Sequence, residues 1–144
     1  MRYLQEFISN SPEETRAFAA DFAKELKGGE VIAFTGNLGA GKTCFTSGLA
    51  KGLGYQGSVT SPTFAIMNEY LGGRLNIYHF DMYRISSWED LDSSGYFDYL
   101  DAGGVIVAEW SENIMGALER DTIFIDIKNI DDITRHITVK RGDE

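Results

Sequence analysis

The stretch that decides the fold is Val31-Ile32-Ala33-Phe34-Thr35-Gly36-Asn37-Leu38-Gly39-Ala40-Gly41-Lys42-Thr43. Its opening residues are apolar without alternation, which suits a strand buried on both faces of a parallel sheet. Residues 36–43 then match the pattern G-x-x-x-x-G-K-[ST] at every fixed position. At average residue usage that pattern arises by chance in about half a percent of chains of this length. Behind it, Phe45, Leu49 and Leu53 recur at helical spacing and Gly54 supplies a stop, predicting a helix over 42–53. Strand, glycine-rich turn and helix in that order predict a P-loop. Its glycines let successive N–H groups face phosphate oxygens, and the helix N-terminus adds the positive end of its dipole. Gly36, Asn37, Leu38, Gly39, Ala40 and Gly41 are the expected cradle. Lys42 is expected to reach the β- and γ-phosphates of a nucleotide, Thr43 to give its hydroxyl to Mg²⁺, and Cys44 to add only its backbone N–H. The alternative is a glycine-rich turn before an ordinary helix. Gly48 and Gly52 share one helix face, where they would permit close approach to the sheet.

Working outward, Ser11-Pro12-Glu13-Glu14 is a capping box with proline at the first helical position, followed by Phe18, Phe22 and Leu26. This predicts a helix over 12–27, stopped by Gly28-Gly29. On the other side, residues 64–70 and 75–81 are rich in strand formers and flank Leu71-Gly72-Gly73-Arg74, which reads as a hairpin with a two-residue turn. In that register Phe64 faces Asp81, and Ser61-Pro62-Thr63 comes up beside Asp81. Residues 87–100 read as one or two short helices interrupted by Gly95. Val105-Ile106-Val107-Ala108 is a second continuous apolar run leading into Glu109-Trp110, and 122–128 and 133–140 read as two further strands. The fold class expected is α/β: a P-loop NTPase three-layer fold with a mostly parallel central sheet plus antiparallel hairpin strands, in one domain over 1–144.

Composition narrows the function. A length of 144 residues suits a single domain. The net charge of −9 argues against a broad basic surface gripping nucleic acid or anionic membrane directly. One cysteine, Cys44, cannot form an internal disulfide or a zinc site by itself, no apolar run approaches a membrane span, and the N-terminus lacks a signal-peptide core. A cytoplasmic protein is expected, with no membrane partner.

A phosphate cradle holding Mg²⁺ also needs carboxylates near the metal and a group that positions water. Two acids end strands, Asp81 and Glu109. Glu109 fits the usual placement, at the C-terminal end of a buried parallel strand beside the cradle strand. The alternative for each is an acid that merely caps a strand and faces water. Thr63 or Ser61 could sense the γ-phosphate, or Ser-Pro-Thr could be only a turn. Trp110 suits contact or packing equally; His79 reads as a satisfied strand histidine, and His136 and the acids of 89–101 as solvated faces. Cys44 lacks the His and Asn pattern of a nucleophile. Three rivals compete with an ATPase. A small-molecule kinase would need a basic lid, yet between 44 and 119 the basic residues are Lys51, Arg74 and Arg84. A GTPase would need Asn-Lys-x-Asp, where 128–131 reads Lys-Asn-Ile-Asp. A nucleotide-binding adaptor that does not hydrolyse is compatible with the motif.

Four segments together resemble the bacterial TsaE (YjeE) family of tRNA threonylcarbamoyladenosine biosynthesis ATPases: GNLGAGKT at 36–43, TSPTF at 60–64, YHFDMYR at 78–84 and AEW at 108–110. The resemblance covers nearly the whole chain. It implies ATP and Mg²⁺ as cofactors, Lys42 and Thr43 on phosphate and metal, and the Ser61–Thr63 segment as a switch. It also implies Asp81 and Glu109 as metal and hydrolysis acids with Trp110 beside them. Two protein partners would build the threonylcarbamoyl group and place it on the adenosine next to the anticodon of tRNAs reading codons that begin with A. This chain would supply the ATP-driven step and meet tRNA only indirectly. Met82, Cys44 and Ser111 depart from the commoner Leu, Thr and Pro, and Ser111 puts the loop after Trp110 in question. Arg84 is the best internal candidate for an arginine finger.

Overall fold

The computed structural model describes residues 2–36, 41–60 and 67–142. Seven strands form one sheet in the order β1-β7-β6-β2-β5-β4-β3. They are β1 (Arg2–Ser9), β2 (Val31–Gly36), β3 (Met67–Tyr70), β4 (Ile77–Asp81), β5 (Val105–Glu109), β6 (Ile123–Asn129) and β7 (Arg135–Arg141). The four central strands β6, β2, β5 and β4 are mutually parallel, and antiparallel neighbours close both edges. The fold is therefore α/β with a parallel centre and hairpin edges.

Helices α1 (Pro12–Ala23) and α2 (Lys42–Gly52) cover one face, burying Ala19, Phe22, Phe45 and Leu49 against Ile32, Phe34, Val107 and Ile125. Helices α3 (Trp88–Ser93) and α4 (Tyr96–Leu100) and a 3₁₀ segment (Ser111–Ala117) cover the other face, packing Leu91, Tyr96 and Ile114 on Phe80, Ile106 and Ala108. This third layer spans only half the sheet. Over β6 and β7 the second face stays open around Phe124, Asp126, Thr138 and Lys140, a groove of about 530 Å³. The alternating burial of β6 follows from that one-sided cover.

Local chemistry explains the element ends. Ser11 caps α1 by accepting from the Glu14 N–H at 3.1 Å, and the Glu14 carboxylate accepts in return from the Asn10 N–H at 2.9 Å. The helix ends at Ala23 rather than at residue 27. The Arg74 guanidinium closes over this end, donating to the carbonyl of Ala23, the last helical residue, and to that of Leu26 in the segment after it, each at 2.9 Å.

The same arginine corrects the hairpin register. Met67 pairs with Phe80 and Tyr70 with Ile77, so the connection is Leu71 to Asn76 rather than a two-residue Gly-Gly turn; Phe64, expected opposite Asp81, lies outside the described residues. The Arg74 N–H donates to the Leu53 carbonyl at 2.5 Å, and Gly73 lies against that carbonyl closely enough that a Cβ would sit 2.5 Å from it. Docking on the ends of α1 and α2 thus displaces pairing at 71–76. The shift is two residues, so every strand side chain keeps its face.

Gly48 and Gly52 face α1, not the sheet. A Cβ on Gly48 would press into the Arg16 carbonyl, and one on Gly52 would lie 2.5 Å from the Ala20 carbonyl. At an open helix position Gly→Ala would stabilise by about 1 kcal/mol. Here Gly48→Ala is expected to destabilise by about 1–3 kcal/mol because two backbones must separate. Urea unfolding reads the sign, and unchanged or raised stability would overturn this account of the helix contact.

Candidate functional site

Parallel β2, β5 and β4 end on one rim of the sheet, and α2 begins at that rim directly after β2. Gly41 precedes α2 with φ of 101°, a left-handed conformation that costs glycine nothing. Lys42 opens the helix and is only 8% exposed; Thr43 beside it is half-buried. The first turn is pinned by the Thr46 hydroxyl, which donates to the Lys42 carbonyl at 2.9 Å. Gly36 ends β2. Asn37, Leu38, Gly39, Ala40, Ser61 and Thr63 lie outside the described residues.

Cys44 turns its thiol toward α1, donating to the Pro12 carbonyl at 3.3 Å. Burial pushes that thiol up from its ordinary pKa, against the opposing pull of Arg16, so little thiolate is present to act as a nucleophile. Beside it, a cavity of about 360 Å³ runs from Gly41 and Cys44 past Asn10 and Pro12 to Ile133 and Arg135. Nothing in the sequence pattern marks this cavity, because it forms where the α1 N-terminus meets the β6–β7 connection.

Glu109 is the last residue of β5, beside β2, and is buried. Asp81 ends β4 and is its direct register partner. Paired residues of parallel strands project to one face, here the face packed by α2, since Ile77, Val105 and Val107 of the same parity sit in the α1/α2 core. One Asp81 oxygen accepts from the Tyr83 N–H at 2.9 Å, and the Met82 N–H donates to the Glu109 carbonyl at 3.0 Å. These bonds hold the two strand ends together. Asp81, Glu109 and Thr43 offer hard oxygen donors. Among the described residues no three His, Cys, Asp or Glu side chains converge into a metal cage. That donor set fits Mg²⁺, which takes one or two carboxylates and completes its shell with phosphate and water.

Trp110 follows Glu109 at φ 58°, ψ 40°, and is the one described non-glycine residue with positive φ. Such a conformation costs roughly 1–3 kcal/mol and persists only where the surroundings enforce it. Ser111 supplies part of that enforcement. It is fully buried, and its hydroxyl donates to the Phe34 carbonyl of β2 at 2.9 Å. The serine thus fastens the loop by a hydrogen bond. The Trp110 ring lies 4.9 Å from the exposed ring of Tyr83. Arg84 is exposed in the turn after β4.

His79 and Tyr70 are the residues that sequence reasoning left out of the site. His79 is fully buried, as expected of a strand histidine, but one of its partners is Glu109: Nε2 lies 2.5 Å from the Glu109 Oε2. Its Nδ1 lies 3.0 Å from the Tyr70 hydroxyl, which donates to the Thr60 carbonyl at 2.7 Å. Burial raises the Tyr70 pKa from its ordinary value, so the phenol stays a donor. The available signal was spacing: His79 precedes Asp81 by two strand positions and so shares its face.

Comparison with known proteins agrees with this architecture. Residues 9–137 match the family model described as threonylcarbamoyl adenosine biosynthesis protein TsaE. A tRNA threonylcarbamoyladenosine biosynthesis protein TsaE of Treponema pallidum (strain Nichols) is 40% identical over 132 residues, covering 92% of this chain and 97% of that protein. The protein of the same name from Bacillus subtilis (strain 168) is 42% identical over 128 residues, covering 89% and 80%. A crystal structure of Bacillus subtilis YdiB superposes with a TM-score of 0.79 at 36% identity, over 99% of this chain and 89% of that one. With the family model spanning strands β2 to β6 in full, both carboxylate-bearing strand ends among them, the chain belongs to the TsaE family of threonylcarbamoyl adenosine biosynthesis proteins.

Proposed function

We propose that this protein is a Mg²⁺-dependent ATPase serving threonylcarbamoylation of the adenosine next to the anticodon in tRNAs that read codons beginning with A. It acts in the cytoplasm with two partner proteins that carry out the acyl chemistry. The observation that carries the reading is the meeting, at one rim, of the α2 N-terminus with two strand-end carboxylates in direct register. Among the described residues no helix is long and apolar enough to cross a membrane. A net charge of −9 favours reaching tRNA through the partners.

In this reading the glycine-rich turn 36–41 cradles the phosphates, and Lys42 neutralises charge on the β- and γ-phosphoryl oxygens. Thr43, Asp81 and Glu109 would hold Mg²⁺, which would supply neutralisation of phosphate charge there. Glu109, at 9% exposure, orients the attacking water and accepts its proton. The cavity between Cys44 and Ile133 is the chamber for the nucleoside, because it opens off the same Gly41 that ends the cradle. Ser61 and Thr63 sense the γ-phosphate, and Trp110 borders the site.

The test is phosphate release from Mg-ATP by the chain alone and titrated with the two partners. Slow release that rises with partners is expected. Transfer of the phosphoryl group to a small metabolite would favour a kinase, and tight binding without turnover in any mixture would favour an adaptor.

A further inference from the structure

The buried histidine beside Glu109 has more to do than fill the core. The Thr60 carbonyl can only accept a hydrogen bond, and Tyr70 has one hydroxyl proton, directed to it at 2.7 Å. The Tyr70 oxygen therefore accepts from His79, which places a proton on Nδ1 across the 3.0 Å contact. The other ring nitrogen then shares a proton with Glu109 Oε2 at 2.5 Å. His79 thus bridges Tyr70 and Glu109, holding one carboxylate oxygen and leaving the other for water or metal. Tyr70 and His79 are both buried, whereas Thr60 is exposed and leads the chain into residues 61–64.

We propose that Tyr70 and His79 are positioning residues for Glu109, tying the orientation of its carboxylate to the backbone at Thr60. The orientation of the carboxylate therefore depends on the bond between the Tyr70 hydroxyl and the Thr60 carbonyl, relayed through His79. This inference rests on the hydrolytic reading of the site for its effect on rate, but the hydrogen-bond order can be measured without turnover.

Tyr70→Phe removes one oxygen and keeps the ring that packs 5.3 Å from Tyr55; because the buried His79 Nδ1 loses this partner, a modest fall in thermal midpoint is expected, and turnover is read well below the midpoint of the variant. Partner-stimulated kcat should fall about tenfold while KM for ATP stays within about twofold, since displacement of a base by a fraction of an ångström acts on the chemical step. His79→Gln, which keeps a donor toward Glu109, should retain more kcat than His79→Leu. Tyr70→Phe turning over like the parent, or kcat and KM changing in equal proportion, would overturn the proposal.

Nitrogen-15 spectra of the imidazole in the full nucleotide-free chain provide the second arm. His79 Nδ1 should be protonated in the parent and become unprotonated in Tyr70→Phe. An unprotonated Nδ1 in the parent sinks the relay whatever the turnover. The expected spectra in a chain that hydrolyses no ATP with or without partners would leave the relay standing and remove the hydrolytic reading.

Discussion

Lys42→Ala is expected to lower Mg-ATP turnover by roughly 10²–10³-fold, the usual loss when a preorganised electrostatic group at a reacting centre is removed. Lys42 is the first residue of α2 and 8% exposed, so its ammonium acts where water screens little. Its backbone carbonyl receives the Thr46 hydroxyl, an anchor that does not depend on the side chain, so alanine should leave the helix start intact. Lys42→Arg should not restore activity, because a planar guanidinium replaces a compact point charge. Phosphate release and nucleotide titration measure the two effects. Normal hydrolysis by Lys42→Ala would remove the phosphate site from the α2 N-terminus.

The second large effect is expected at Glu109. Glu109→Gln should reduce kcat by roughly 10²–10⁴-fold, the range for loss of a general base. Nucleotide affinity should change far less, by about threefold or less, if the carboxylate acts mainly in the transition state. Glutamine is the informative replacement, since its amide preserves a partner for His79 Nε2 in a fully buried pocket. Alanine would leave that nitrogen unsatisfied and mix lost stability with lost catalysis. Equal losses of affinity and turnover in Glu109→Gln, with unchanged unfolding, would reduce Glu109 to a structural acid.

The site was legible in the sequence to the extent that it is local. Val31 to Thr35 as a buried strand, the helix from Lys42, and Glu109 closing a second apolar run each rest on a few adjacent residues, and the structure has these elements. Asp81 reached the rim despite a wrong hairpin register, because a two-residue slip preserves side-chain parity. The register itself was not legible: Arg74 is bound by the ends of two helices that lie far from it in sequence. Strand β1 also escaped notice. It is an edge strand paired only with β7 across an irregularity between Tyr3 and Gln5, which breaks the alternation a reader looks for.

By itself, then, the amino-acid order determined the α/β class, the strand from Val31 and the helix from Lys42, and the identity of the two strand-end acids, since backbone geometry and burial periodicity are properties of neighbouring residues. Tertiary structure alone decided three things. It set which backbone the helix glycines approach, where the cavity beside Cys44 opens, and that His79 and Tyr70 stand behind Glu109. Each depends on elements that pack across long sequence separations. A contact between residues 79 and 109 exists only because β4 lies beside β5, and no spacing along the chain encodes that adjacency.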